Sequence, residues 1–283
     1  MTSSEDIGLT GGDDDSTSGR RGIQSVGNAA RVLEALTKLG EASNLGAVSQ
    51  ASQLSTSQTH RYLASLIAAG LAQQDAATGR YDLGPAAIKL GLAALARTDA
   101  VRIAEIAITD FVRRTGRTAQ VCALGPLGPT VIRWYCGVPP VVTSLNIGSL
   151  LSLLHSATGR VFLAFSAREE IAPLVERELA ADSVVGVDVE SLRTQVRSQG
   201  FATVSGTVAP GLRATAFPIF DLQGRPILSA TVIASDVFKT KDDDKIRADL
   251  GAVCAEVSLS LGGRQPSAEE PIRGRRGSTL RKA

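Results

Sequence analysis

Ser55-Thr56-Ser57-Gln58-Thr59-His60-Arg61-Tyr62-Leu63 runs on to Gly70-Leu71 and then to Gly79-Arg80-Tyr81-Asp82-Leu83-Gly84. The pattern predicts a helix followed at once by a hairpin. Ser55 and Gln58 have the spacing of a capping box, in which the serine hydroxyl accepts from the Gln58 amide and the Gln58 side chain reaches back. Thr59, Leu63, Leu66 and Ile67 then recur at helical spacing, and Gly70 ends the helix. Beyond Gly70 the period shortens from 3.6 to 2. Segments 71–75 and 80–83 flank the turn Ala76-Ala77-Thr78-Gly79, with Tyr81 and Leu83 inward and Arg80 and Asp82 outward.

Two helices are expected before this stretch. The first is capped by Ser25, carries Val26, Ala29, Leu33, Leu36 and Leu39 on its apolar face and stops at Gly40. The second spans about 45–52, with Val48, Ala51 and Leu54 inward. Three short helices and a hairpin are the layout of a winged helix-turn-helix, here over residues 22–84. Pro85 suits the first turn of a further helix, 86–97, with Ile88, Leu92 and Leu95 at helical spacing. Residues 85–98 thus read as a linker helix.

From residue 99 the pattern alternates. A helix to Thr115, closed by Gly116, precedes strands at 118–124, 131–135 and 141–145. Helices follow at about 157–165, 168–180 and 190–199, then strands at 201–205, 214–220 and 227–234. Asp221-Leu222-Gln223-Gly224 turns the last hairpin, and a helix over about 242–261 closes an α/β domain spanning 99–261. The fold class expected is therefore α+β.

Both ends read as tails. Residues 1–21 are rich in Ser, Gly, Thr and Asp, have no apolar core that would suit a targeting signal, and are expected to be disordered. Residues 262–283 carry six Lys and Arg against two Glu. They read as a solvated basic tail, with an auxiliary phosphate-contacting arm as the alternative.

Composition narrows the function classes. The 283 residues favour two domains, and 43% hydrophobic with 20% charged residues is ordinary for a globular chain. A net charge of +2 gives no polybasic signal, and 4% aromatics argue against a single-strand binder built on base stacking. Cys122, Cys136 and Cys254 are odd in number and scattered, so neither a disulfide framework nor a metal site is expected, and a reducing cytoplasm fits. The stretch 145–165 is too interrupted by polar residues to span a bilayer. Enzyme signatures are absent too: no Gly-x-Ser-x-Gly elbow, no phosphate-binding Gly-x4-Gly-Lys loop, no dinucleotide fingerprint, and only two histidines, His60 and His155, in different expected domains. No cofactor is expected.

Three motifs in order resemble the isocitrate-lyase-regulator (IclR) family of bacterial transcription regulators. They are the helix-and-hairpin stretch quoted above; Ser152-Leu153-Leu154-His155-Ser156-Ala157-Thr158-Gly159-Arg160; and Pro210-Gly211-Leu212-Arg213-Ala214-Thr215-Ala216-Phe217-Pro218. The resemblance covers about 240 residues, all but the tails. It implies a GAF-like effector-binding domain over 99–261 and a homodimer, or dimer of dimers, on a partly palindromic double-stranded operator. The function it implies is transcription regulation modulated by a small organic effector. A sensor module without specific DNA binding is the alternative.

The residues suggest how each task is done. The polar start of the third helix, Thr56, Ser57, Gln58, His60 and Arg61, suits base edges and phosphates in a major groove, with Arg80 on the wing reaching phosphate. Gln58 is equally suited to the capping box. Residues 20–84 carry only +2, so useful affinity calls for two or more such domains together. For the effector, the amides around Thr158, Gly159 and Arg160 at a helix start suit a carboxylate. Trp134, Tyr135, Leu154, Ala214, Thr231 and Ile233 are candidates for apolar walls, one of the aromatic pair having to face away in a strand. Positions where the family often carries acidic or polar groups hold Ser205, Thr207, Ala214 and Ile233, which favours a compact, possibly aromatic, carboxylic acid over a sugar acid. Ordinary core packing is the alternative for each of these residues.

Overall fold

The computed structural model describes residues 23–180, 187–208, 210–235 and 242–264, the side chain of Leu95 excepted. Both expected tails fall outside these residues, apart from 262–264. Backbone contacts divide the chain between Thr98 and Asp99.

The first unit holds α1 (Gln24–Leu39), α2 (Leu45–Ser52), α3 (Thr56–Ala68), the hairpin β1 (Ala72–Gln74) and β2 (Tyr81–Leu83), and α4 (Pro85–Arg97). Val32, Ala35, Leu36, Val48, Leu63, Leu66, Ala72 and Tyr81 form its core. The expected capping box is present at Ser55, and Gly70 and Gly79 both take the positive φ that their turns require. Tyr81 also exchanges two backbone hydrogen bonds with Ser43, which ties the hairpin to the turn before α2.

Several details differ from the periodicity reading. The Ile23 carbonyl already accepts from Val26 and Gly27, so α1 is capped by Ile23 and Ser25 lies in its first turn without capping. Val26, Ala51 and Ile67 are exposed, because the buried stripes run through Val32 and Ala35, through Ser49 and Ser52, and through Thr59 and Leu63 instead.

The second unit is a five-stranded antiparallel sheet with helices on both faces. Its strands are β3 (Thr118–Gly125), β4 (Gly128–Tyr135), β5 (Ala202–Ser205), β6 (Leu212–Phe220) and β7 (Pro226–Ser235), in the order β4-β3-β7-β6-β5. On one face α5 (Ala100–Thr115) and α9 (Asp243–Ser260) bury Ile108, Phe111, Leu250 and Val257 against Val121, Ile219 and Ala230. On the other, α6 (Ala157–Phe165), α7 (Arg168–Leu179) and α8 (Val189–Gln199) complete the core.

The strand expected at 141–145 does not form. Pro139 and Pro140 supply no amide hydrogens just before it. The free edge of β4 is taken later: Ser149 accepts from Val131, Val131 accepts from Gly148, and Leu151 donates to Pro129.

Phe111 is fully buried at the centre of the α5–α9 layer. Phe111→Ala should destabilise this unit by ~3–5 kcal/mol, read as a lower midpoint in urea unfolding followed by circular dichroism.

Candidate nucleic-acid interface and ligand cavity

The capping box fixes where α3 begins and hence which side chains stand at its start. Thr56, Ser57, His60 and Arg61 are all exposed there and share one side of the helix, while Thr59 and Leu63 hold the other side in the core. Gln58 is half-buried, and its Oε1 accepts from the Ser55 amide at 3.3 Å and the Ser55 hydroxyl at 3.1 Å, so its carbonyl oxygen is committed locally. On the wing Arg80 is exposed and donates to the Ala42 carbonyl at 3.1 Å. The turn between the strands is held by Asp75, which accepts from the Ala77 and Thr78 amides and from the Thr78 hydroxyl. The Thr78 hydroxyl and amide keep the Asp75 carboxyl below its ordinary range.

In the second unit the geometry centres on the start of α6. Glu178 of α7 accepts from the Leu153 amide, from the Leu154 amide at 3.0 Å and from the Ser152 hydroxyl at 2.7 Å. Ser156 then caps α6, accepting from the Gly159 amide at 2.8 Å and donating to the Ser152 carbonyl at 2.6 Å. Gly159 sits so close to this turn that a Cβ would run into the Ser152 carbonyl and Leu153. The first-turn amides of Ala157 and Thr158 have no carbonyl four residues back inside the helix to receive them.

A small cleft opens at this helix start. Leu145, Leu151, Val204, Val208, Leu212 and Ile233 give it aliphatic walls, and Gln120, Ser156, Thr158 and Thr231 supply its polar groups. Among the described residues, no Lys, Arg, His, Asp or Glu lines it. The Thr158 and Thr231 hydroxyls lie 2.8 Å apart, joining α6 to β7, and Gln120 Nε2 donates to Thr158 at 3.4 Å.

Of the residues singled out from the sequence, Thr158, Ala214, Thr231 and Ile233 meet at this cleft. Others stand elsewhere for definite reasons. Tyr135 faces α5, where burial and Glu105 push its phenol up to about 12, because alternation along β4 sends Trp134 to the α6 side. Trp134 and Leu154 pack in the cluster around Leu153 and Phe162. Ser205 follows the inward Val204 and therefore points away from the cleft. Thr207 spends its hydroxyl on the His155 carbonyl at 2.7 Å. The Gly159 amide is held by Ser156, the Arg160 amide by the Ser156 carbonyl and the Arg160 Nε by the Leu154 carbonyl at 2.8 Å, and neither residue lines the cleft. Sequence reading overlooked Gln120, Leu145, Leu151, Ser156, Ala157, Val204, Val208 and Leu212. Alternation along β3 and β5, measured from Cys122 and Ala202, carried the signal for Gln120 and Val204.

Comparison with known proteins places both units. Residues 92–259 match the family description "Bacterial transcriptional regulator IclR C-terminal", and residues 25–76 match "IclR helix-turn-helix domain". The chain is 28% identical over 216 residues to the HTH-type transcriptional regulator KdgR of Escherichia coli K12, covering 74% of this chain and 82% of that protein. It is 26% identical over 221 residues to the Pca regulon regulatory protein of Pseudomonas putida, covering 76% and 75%. The crystal structure of Pseudomonas aeruginosa HmgR superposes with a TM-score of 0.75 at 32% identity, covering 85% of this chain and 99% of that one.

Two outcomes follow from these environments. Glu178→Ala, which strips a charged acceptor from three donors, should cost about 1.5–3 kcal/mol in urea unfolding. Burial pushes the Cys122 thiol up to about 12 and raises Cys254 as well, whereas Cys136 is exposed. A raised thiol stays protonated at pH 8 and unreactive. Iodoacetamide at pH 8 should therefore modify Cys136 alone, as read by peptide mass spectrometry.

Proposed function

Because the chain belongs to the IclR family of DNA-binding bacterial transcription regulators, we propose that it is a cytoplasmic, effector-responsive regulator whose two units divide the work. Residues 22–84 bind the operator, with Thr56, Ser57, His60 and Arg61 entering the major groove and Arg80 contacting backbone phosphate. Gln58 contributes through its amide nitrogen, since its oxygen serves the cap. Residues 85–98 link this domain to the effector domain, 99–261.

The effector is a compact organic acid bound in the cleft at the start of α6. One observation carries this reading: the first turn of a nine-residue helix, through Ala157 and Thr158, lines a largely aliphatic cleft in which no charged side chain stands among the described residues. Helix-start amides and the positive end of the helix dipole favour a carboxylate there. The aliphatic walls take an apolar body and leave the hydroxyls of a sugar acid without partners. With Tyr135 on the far face, wall shape does not demand an aromatic ring. Regulation requires the acid to bind one arrangement of the paired DNA-binding domains better than another.

The active species is a homodimer or a dimer of dimers. Val26, Ile88 and Leu92 are each more than 60% exposed, an apolar display that a subunit contact covers. The modest +2 over residues 20–84 also favours paired domains. The same low charge is what favours the second reading, a ligand sensor without specific DNA binding. Gel shifts on the DNA flanking its own gene separate the two.

Arg61→Ala should weaken operator binding by ~1–3 kcal/mol without changing the circular dichroism spectrum. Unchanged affinity would remove Arg61 from the interface. Thr158→Glu, which sets a fixed carboxylate at the helix start, should abolish binding of benzoate and other small acids in calorimetry. Sedimentation at micromolar protein should show dimers or tetramers.

A further inference from the structure

Gln120 stands on β3 in the middle of the sheet, in register with Thr231 on β7, and is 3% exposed. Its amide nitrogen has a partner in Thr158. Its carbonyl oxygen is buried and has none. Buried acceptors are nearly always paired, because an orphan forfeits its bonds to water and gets nothing back. Gln120 belongs to the lining of the cleft, beside walls built from Leu, Val and Ile, where a leucine or methionine would have filled the same place without that cost.

We propose that Gln120 Oε1 reads a hydroxyl group on the effector, so that the ligand class is a hydroxy acid: one carboxylate, one hydroxyl and an apolar body. This rests on reading the cleft as the acid site. The donor is a neutral hydroxyl and not an ammonium for two reasons. The start of α6 presents the positive end of its dipole to the same cleft, and among the described residues no Asp or Glu lines it to balance a cation. The hydroxyl is single because Oε1 is the one buried side-chain acceptor on the described lining that has no partner, whereas the Thr158 and Thr231 hydroxyls bond each other. Acceptor and amides meet at Thr158, whose hydroxyl holds Gln120 and whose backbone opens the helix. Gln120 therefore determines specificity, while the helix start supplies the binding of the acid.

The test uses the full-length protein and matched acids: benzoate against 2-, 3- and 4-hydroxybenzoate, and propionate against 2- and 3-hydroxypropionate, each titrated by calorimetry. In at least one series a hydroxy acid should bind about 100-fold or more tightly than its parent, the discrimination expected of a site built to bond a hydroxyl. Gln120→Met should cut that ratio to below about threefold and hold or raise the melting temperature of the ligand-free protein. Gln120→Leu is the second variant if methionine does not pack, and the wild-type ratio needs neither. Parent and hydroxy acids binding wild type equally tightly in both series would overturn the role of Gln120 while leaving the acid cleft standing. Gln120→Met weakening both members of a pair alike would overturn it too, since the amide would then be holding the carboxylate. Failure of every acid to bind the wild type would overturn the acid reading, and this inference with it.

Discussion

The carboxylate of Glu178 is the constraint on which the effector unit turns. It gathers the amides of Leu153 and Leu154 and the Ser152 hydroxyl into one bend. That bend lets Ser156 cap α6 and brings the helix in over the sheet, with Gly159 pressed against the chain that precedes it. Eight of the nine residues of α6 are buried, so neither of its ends can rely on water for the backbone groups a helix leaves open. At the far end Arg193 and Arg197 of α8 donate to the carbonyls of Leu163, Ala164 and Ser166. Burial shifts both guanidinium groups downward, as expected for cations drawn out of water. The two ends are thus treated differently. One is filled by arginine, and at the other Ala157 and Thr158 line a cleft.

The DNA-binding unit works by a similar division on a smaller scale. Its core is few in residues, and α3 earns its place in it through Thr59, Leu63 and Leu66 while offering polar groups on the opposite side. The same serine that starts the helix occupies the oxygen of Gln58. A side chain at the foot of a groove-reading helix is therefore restrained before any base is met, and the exposed Arg61 and His60 carry more freedom than Gln58 does.

Much of this was legible from residue order. The capping box, the glycines that end α1, α3 and α5, the wing and the bounds of α2 and α6 follow from local chemistry, and local chemistry is what a sequence displays. The cleft was legible only in part, at Thr158 of α6, Ala214 of β6 and Thr231 and Ile233 of β7. Which face a strand residue takes depends on parity, and a displacement of one residue exchanges faces. Tyr135 and Ser205 fell on the wrong side for that reason. Arg160 and Gly159 looked available because the partners that claim them, Leu154 and Ser156, do so through backbone and capping bonds that no motif announces. The strand expected at 141–145 failed because its place along β4 was taken by residues 148–151, a competition settled only in three dimensions.

The sheet also carries its own optical label. Trp134 is the single tryptophan of the chain, and alternation along β4 places it on the α6 side. There it packs against the cluster that contains Leu151, a residue that also forms one wall of the cleft. Indole emission responds to the polarity and rigidity of its surroundings. Occupancy of the cleft is therefore open to being followed in the native, unlabelled protein, with no second indole contributing background.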